Sequence, residues 1–375
     1  MSYVKRFNRI RGKAMKIGII TFHNVVNYGG VLQCYALQQK LKEWGYEAEV
    51  IDYENKQFKK FYSPFYITRP YLRKILYMLY AFREKAVRRK KFNNFVKENI
   101  ILSRECFDKD TISSSNELYD VFITGSDQVW NLELTEMDRN YFLDFVDKKK
   151  KISYAASIGL SKLDEEMKPI YKELLSDFNS ISVRENSASV IIDDLLGEEV
   201  DVHIDPVLLL DKESWAKVCD NDVVKNNEEY IVVYKINKSK AYTAAEYLAK
   251  KKGLKVKVIQ PDKTCKAGFQ KYKVASPADF VTLFKNAKYV ITDSFHGTVF
   301  SIIFQKKFAY YMDESANNRN SRIQNLLNKL NLQSRNFKDI EQIEFIDDTI
   351  DYDSVEIILN KERNKSKQYL EQVIN

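Results

Sequence analysis

Residues 16–33 read KIGIITFHNVVNYGGVLQ and contain the start of the first α/β unit. The apolar run at 16–21 is typical of a buried parallel strand. After a polar loop at 22–30, apolar side chains recur at helical spacing until Gly45 ends the pattern. A second strand is predicted at 47–53. This strand–helix–strand order predicts a parallel sheet covered by helices.

The same alternation continues along the chain. Further strands are predicted at 119–124, 151–156, 180–183, 200–204, 230–235, 254–260, 289–292 and 308–312. Segment 55–118 is mostly helical in pattern and shows no clear strand. Asp205-Pro206 predicts a boundary, because proline restricts the residue before it. The predicted division is an extension at 1–14, domains at 15–205 and 206–335, and a helical tail at 336–375.

Two doubly wound parallel sheets follow from this pattern. Such sheets bind ligands at the carboxyl ends of their strands. Two such α/β domains that face each other would form a central cleft, and we expect the functional residues there.

Bulk composition sets limits on the class of protein. The 375 residues are 45% hydrophobic, with a net charge of +8, which indicates a globular chain and does not indicate a nucleic-acid partner. The four cysteines show no CxxC spacing, so a reducing, cytoplasmic compartment is expected. Residues 1–14 are basic without a following apolar segment, which predicts no secretory signal. No apolar run is long enough to span a membrane.

Three loops at predicted strand ends carry candidate residues. His23, Asn27 and Gly29 lie between the first strand and helix, where glycine N–H groups favour an anion; the alternative is a capped turn. Asp127 and Trp130 lie in GSDQVWN at 125–131, where the indole packs either a sugar or the core.

The third loop, DSFHGT at 293–298, contains His296. Imidazole titrates near neutrality, so a histidine at a strand end is a general acid/base candidate. The alternative is a structural helix-capping role. His203, beside the predicted boundary, is expected to be structural.

Arginines complete the set of candidates. Arg184 follows a predicted strand, and Arg319 and Arg322 open a late helix. Guanidinium groups bind carboxylate and phosphate through two hydrogen bonds, although a surface ion pair is the ordinary alternative.

Segment 69–91 has nine basic residues and one acid, interleaved with apolar side chains. This pattern is typical of a basic amphipathic helix that lies on an anionic membrane; the alternative is a packed helix with a solvated basic face. The sequence has no HExxH or P-loop motif, so it gives no basis for a metal site or a nucleoside triphosphate.

Several motifs together resemble the polysaccharide pyruvyl transferase family. The matching stretches, in chain order, are TFH at 21–23, NYGGVLQ at 27–33, GSDQVWN at 125–131, YFL at 141–143, ISYAAS at 152–157, SVRE at 182–185, DP at 205–206 and DSFHG at 293–297. The resemblance covers about residues 16–330 and is weakest in 55–118 and beyond 335.

The resemblance implies a fold similar to GT-B glycosyltransferases, with two Rossmann-like domains that face a central cleft. It also implies a metal-independent reaction without a cofactor. The implied donor substrate is phosphoenolpyruvate, and the acceptor is a sugar or a lipid-linked oligosaccharide. His296 would be the general acid/base. The implied donor site comprises Arg184, Arg322, Ser294, Gly297 and Thr298, and the implied acceptor site comprises His23, Asn27, Gly29, Asp127 and Trp130.

Two rival functions remain open on the sequence. One is a glycosyltransferase on the same scaffold that uses a nucleotide sugar. The other is a non-catalytic binding protein of envelope assembly.

Overall fold

The computed structural model describes residues 15–63, 71–220, 223–224, 228–312 and 317–375. Its first sheet is entirely parallel, with strand order β3-β2-β1-β4-β5. The strands are β1 (Lys16–Ile20), β2 (Glu47–Tyr53), β3 (Leu102–Phe107), β4 (Val121–Thr124) and β5 (Lys150–Ser153). Two short parallel strands, β6 (Ser182–Val183) and β7 (Asp201–Val202), extend it through bridges to the β5 segment.

Five helices accompany these strands in the described part of the chain: α1 (Tyr28–Glu43), α2 (Lys56–Phe61), α3 (Tyr71–Asn99), α4 (Lys168–Leu175) and α5 (Asn186–Leu196). Helix α1 connects β1 to β2, as the opening pattern predicts. Its first turn is capped by Asn27, whose side chain accepts a hydrogen bond from the Gly30 N–H at 3.1 Å.

The second sheet is also parallel and has the order β10-β9-β8-β11-β12-β13. Its strands are β8 (Tyr230–Tyr234), β9 (Lys255–Ile259), β10 (Gln270–Tyr272), β11 (Tyr289–Thr292), β12 (Lys307–Tyr311) and β13 (Asn336–Phe337). The later helices are α6 (Lys212–Ala216), α7 (Ala241–Lys252), α8 (Pro277–Asn286), α9 (Phe295–Ile303), α10 (Asn317–Lys329) and α11 (Tyr352–Ile374). Two parallel sheets with helices confirm the predicted fold class, whereas the exact domain boundaries stay a prediction.

Two predicted elements differ from the structure. Strand β3 lies inside the segment expected to contain no strand, because its edge position leaves Arg104 and Glu105 exposed and hides the apolar alternation. Helix α9 begins at Phe295, three residues before the predicted start at Thr298. Its N-cap, Ser294, accepts a hydrogen bond from the Gly297 N–H, so His296 belongs to the first helical turn.

The two halves are joined by an aromatic contact at the start of α1. The Tyr28 ring stacks on Phe280 of α8 with centroids 4.5 Å apart, and its hydroxyl donates to the Ala275 carbonyl at 2.9 Å. Helix α3 adds ion pairs from Lys91 to Asp279 and from Glu84 to Lys273. The loops after β1 and β11 are thereby held on facing walls.

Helix α11 follows the second sheet in sequence but packs on the first. Its Tyr369 hydroxyl donates to the Ser153 carbonyl at 3.0 Å, and Lys150 Nζ donates to the Ile374 carbonyl at 3.0 Å. His203 contributes to the same junction, with Nδ1 3.2 Å from the Ser366 hydroxyl.

Candidate active site

The site lies where the loops after β1, β4, β6 and β11 converge. His296 is the residue that joins the two walls. On the first-sheet side it contacts the N-terminus of α1, because a Cβ atom on Gly29 would lie 2.2 Å from both Cε1 and Nδ1 of the imidazole. Its Nε2 is 3.7 Å from Oδ2 of Asp205. The side chain is 13% exposed.

The first turn of α9 holds this histidine rigidly. The Ser294 hydroxyl caps the helix, and the Thr298 hydroxyl donates to the Ser294 carbonyl at 3.1 Å. Gly297 is tightly packed, since a Cβ atom there would lie 2.3 Å from Oγ1 of Thr292. Asp293 stabilises the loop by accepting from the N–H groups of Ile236 and Asn237.

This geometry corrects the expected donor contacts at the start of α9. The Gly297 N–H donates to the Ser294 hydroxyl, and the Thr298 N–H donates to the Ser294 carbonyl at 3.0 Å. Neither N–H is free to bind an anion in this conformation. Ser294 and Thr298 are also buried, so the three residues position His296.

Arg184 is a buried cation surrounded by carboxylates. Its Nη1 donates to Oδ2 of Asp205 at 2.5 Å, and its Nη2 is 3.6 Å from Oδ1 of Asp127. Glu185 lies 3.9 Å from Nε. Burial alone would lower the pKa of Arg184, but these three carboxylates outweigh it and raise the pKa. Arg184 therefore stays charged, and the surface-ion-pair alternative does not describe it.

The Arg184 guanidinium still has hydrogen-bonding capacity. Its Nε and Nη2 are enclosed and have no hydrogen-bond partner among the described residues, and the same holds for Nε of Arg322. Burial and the nearby charge of Arg184 lower the pKa of Arg322. Two buried cations with unused donors favour an anionic ligand.

A cavity of about 330 Å³ lies beside these arginines. Its polar lining comes from the end of β6, the segment 202–205 and helix α10, and comprises Arg184, Asn186, His203, Asp205, Arg322, Asn325, Asn328 and Lys329. Its size is at the lower end of the range for small-molecule pockets.

Asp127 has a strained backbone. Its φ of 78° is unusual for a residue with a side chain. Oδ1 accepts from the neighbouring Gln128 N–H, and Oδ2 lies beside Gly30, where a Cβ atom would be only 3.4 Å away. Such strain is commonly retained where a side chain must be aimed precisely, here between Arg184 and the start of α1.

Of the other predicted acceptor residues, Trp130 and His23 are buried and Asn27 is exposed. Trp130 is fully buried, stacks on Phe142 at 5.5 Å and donates its indole N–H to the Tyr141 carbonyl. The predicted sugar contact of Trp130 is therefore wrong in this conformation, and the core alternative is correct. His23 is also buried, and its Nε2 lies 3.0 Å from Oδ1 of Asp52. Asn27 is exposed and caps α1.

Asp205 and Glu185 belong to the site although the sequence did not single them out. Asp205 was identified only as part of a domain boundary. Glu185 is almost fully buried and accepts from the Ser157 hydroxyl and the Gly159 N–H. The available signal was the occurrence of both acids directly beside predicted strand ends.

The remaining expectations concern the basic segment 69–91, membrane-spanning helices and metal sites. Part of the basic segment 69–91 lies outside the described residues. Within the described part, Glu84 and Lys91 form ion pairs with Lys273 and Asp279 of the second half. No helix in the described chain is long and apolar enough to cross a membrane. No cluster of three potential metal-ligating side chains occurs among the described residues.

Comparison with a family model decides the relationship of this chain to known proteins. The model for "Polysaccharide pyruvyl transferase" matches residues 27–313, which include the loops after β4, β6 and β11 and end before Arg322. The chain belongs to this family. Its members are classified as transferases, and the resemblance seen in the sequence is confirmed.

Solved structures show the fold of this family member to be GT-B-like. A putative UDP-N-acetylglucosamine 2-epimerase from Listeria monocytogenes is 9% identical, with a TM-score of 0.52 over 94% of this chain and 91% of that one. The S. aureus MnaA–UDP structure is 13% identical, with a TM-score of 0.50 over 93% and 90%. A search of curated proteins returned no match.

Proposed function

We propose that the chain transfers the pyruvyl group of phosphoenolpyruvate to a sugar of a cell-surface glycan, or of its lipid-linked precursor, and forms a pyruvate ketal. The observation that carries the proposal is the buried sequence of contacts from Arg184 through Asp205 to His296, with Arg322 nearby. These contacts bring a histidine, which can carry protons, close to arginine N–H groups that have no partner among the described residues.

The reaction requires one proton to be added and two to be removed. C3 of the donor takes a proton, which makes C2 electrophilic. One sugar hydroxyl then adds to C2 and loses its proton, the C2–O bond to phosphate breaks with its electron pair going to phosphate, and the second hydroxyl adds and loses its proton. The leaving phosphate takes up one of the released protons. No oxidant or reductant is needed.

The residues have distinct proposed roles in these steps. His296 carries protons to C3 and from the hydroxyls. Arg184 and Arg322 bind the donor's carboxylate and phosphate, which matches the chemistry of guanidinium groups. Asp127 and Gly29 lie on the wall formed by the first sheet and are proposed to contact the acceptor. We propose that the reaction takes place in the cytoplasm. Contact of segment 69–91 with an anionic membrane stays a prediction.

Replacing His296 by Ala tests the proposed role of this histidine. We expect a loss of at least ~100-fold in rate, because general acid–base catalysis is removed. The measurement is phosphate release together with the mass gain of the glycan, and the thermal midpoint serves as the control for folding. Near-normal turnover of a folded His296→Ala protein would contradict the assignment.

Donor binding separates the proposal from its rivals. Phosphoenolpyruvate should raise the thermal midpoint, since a ligand that binds only the folded state stabilises it. Arg322→Met should abolish this shift, because it removes a donor-binding cation. A shift with UDP-sugars and none with phosphoenolpyruvate would favour the glycosyltransferase alternative. Binding without any product would favour the non-catalytic alternative.

A further inference from the structure

Asp205 is a fully buried carboxylate between two functional side chains. Its Oδ1 accepts from the Val207 N–H at 2.9 Å, and its Oδ2 accepts from Arg184 at 2.5 Å. Nε2 of His296 lies 3.7 Å from the same Oδ2. One oxygen thus anchors the carboxylate to the backbone, while the other faces both the arginine and the histidine.

The ionisation state of Asp205 follows from these contacts. Burial alone would raise the pKa of its carboxyl, but His296, Arg184 and the Val207 N–H outweigh burial and hold the pKa well below its usual range. A permanent negative charge therefore lies behind the imidazole.

The two ring nitrogens of His296 lie in different surroundings. Nε2 is enclosed and has no hydrogen-bond partner among the described residues. Nδ1 is on the edge that contacts Gly29 at the start of α1. Asp205, from the segment after β7, contacts the ring, and Arg184 from the end of β6 and Arg322 from α10 lie near Asp205. Among the described carboxylates near Arg184, Asp205 is the one that contacts the imidazole.

We propose that Asp205 is a positioning residue that keeps a proton on Nε2 of His296 and thereby makes Nδ1 the atom that exchanges protons with the substrates. This inference rests on the proposed role of His296 as the proton carrier. The hydrogen bond made by one ring nitrogen determines the state of the other. At 3.7 Å the charge of Asp205 already favours the tautomer with the proton on Nε2 in the free protein, and such contacts commonly tighten further when a substrate binds.

The proton balance of this arrangement is simple. In the neutral ring, Nε2–H faces Asp205, and the Nδ1 lone pair takes the proton of a sugar hydroxyl. In the charged ring, Nδ1–H gives its proton to C3 of the donor. Asp205 keeps its charge throughout and stabilises the charged ring electrostatically.

The tautomer of His296 is measurable because the chain has only three histidines. In the ¹⁵N-labelled full-length protein, long-range proton–nitrogen NMR spectra identify the protonated nitrogen of each neutral ring. The signals missing from a His296→Gln protein assign those of His296. The expected result is a proton on Nε2, and a proton on Nδ1 would overturn the proposal.

Kinetics of Asp205→Asn provide the second readout. We expect a fall in kcat of about 10²-fold with a smaller change in KM, because the proton transfer is affected more than binding. The alkaline limb of the pH–rate profile should move to lower pH, since the charged ring loses its counter-charge. An alkaline limb at the wild-type position in a folded Asp205→Asn protein would overturn the proposal.

Glu185→Gln is the matched control. It also removes a carboxylate near Arg184, at 3.9 Å, but Glu185 has no recorded contact with His296. Its alkaline limb should stay at the wild-type pH, and an equal shift in both variants would overturn the specific role of Asp205. The tautomer is measured without turnover, so a wild-type protein inactive with phosphoenolpyruvate would reject the proposed function alone.

Discussion

At the residue scale, the cleft is defined by close contacts among a few buried side chains. Arg184 and Asp205 are both charged and almost inaccessible to water. Removal of one partner from a buried pair leaves an uncompensated charge, which is strongly destabilising. The N–H groups of Arg184 and Arg322 that have no partner among the described residues are the donors proposed to bind phosphoenolpyruvate.

Gly29 shows how little free space surrounds the histidine. Gly29→Ala should displace the imidazole, because the added Cβ would lie 2.2 Å from its ring. We expect a fall in kcat of roughly 10²-fold, the cost of misplacing a catalytic group by about 1 Å. The clash should also lower the folding stability by about 1–3 kcal/mol, which is the usual cost of overpacking, so kcat is compared at a temperature where both proteins are folded.

Gly268→Ala is the matched control for this substitution. Gly268 is exposed, and a Cβ atom there would meet no atom within 4 Å. Wild-type kcat is expected for Gly268→Ala. Equal activities of the two alanine variants would refute the close contact between Gly29 and His296.

The sequence predicted individual site residues unevenly. His296 and Arg184 were identified because their side-chain chemistry is distinctive and they follow strands. Asp205 was missed because its partners are 21 and 91 positions away in the sequence. Trp130 was misassigned because an indole after a strand suits both a sugar and a core, and only the packing against Phe142 distinguishes them.

At the element scale, the helix starts determine where the functional groups lie. Helices α8 and α9 are of similar length, and each is capped by a serine, Ser276 and Ser294. Removal of an N-cap hydroxyl costs about 1 kcal/mol in each case. Helix α9 carries His296, whereas α8 carries none of the proposed site residues.

The two serine variants therefore form a matched pair. Ser276→Ala and Ser294→Ala should lower the free energy of unfolding by similar amounts in urea titrations. Only Ser294→Ala should also reduce kcat, because it loosens the turn that positions His296. Wild-type kcat in a destabilised Ser294→Ala protein would contradict this role of the cap.

The junction of α11 with the first sheet should be sensitive to acid. His203 packs on the Tyr369 ring at 4.7 Å, and burial lowers the pKa of His203 from 6.5 to about 4. The unfolded chain therefore binds more protons than the folded one between these two pH values. The contribution of His203 to the free energy of unfolding is fully present above pH 6.5 and is lost as the pH falls toward 4.

Urea denaturation at pH 7 and pH 5 measures this effect. The wild type should lose roughly 2 kcal/mol more than His203→Gln over this interval. The variant lacks the buried titrating group, and the difference removes the contributions of the other histidines. The same pH dependence in both proteins would show that His203 is not protected from protonation.

Elements with apolar patterns were predictable, and polar edge elements were not. The strands β1, β4, β8 and β11 are nearly or fully buried, and their apolar runs identify them. Strands β3, β10 and β13 lie at sheet edges; β3 and β10 expose polar side chains, and β13 has only two residues. Their pairing depends on backbone hydrogen bonds with a neighbour, which leave no pattern in the side chains.

At the scale of the whole molecule, the two-sheet arrangement followed from the alternation of strands and helices. The contacts between the two halves could not be predicted from this alternation. The stacking of Tyr28 on Phe280, the ion pairs of α3 and the return of α11 join residues separated by up to several hundred positions. They depend on tertiary packing, and they hold the two walls of the cleft in register.

The reaction proposed for this cleft is pyruvyl transfer from phosphoenolpyruvate to a glycan. Its most direct test is to incubate the full-length protein with phosphoenolpyruvate and a lipid-linked glycan acceptor in D₂O, followed by mass spectrometry and NMR of the glycan. We expect one phosphate released per pyruvate ketal formed, with one deuterium in the ketal methyl group, and loss of this product with His296→Ala. A glycan without a ketal, or a ketal formed equally well by the His296→Ala protein, would contradict it.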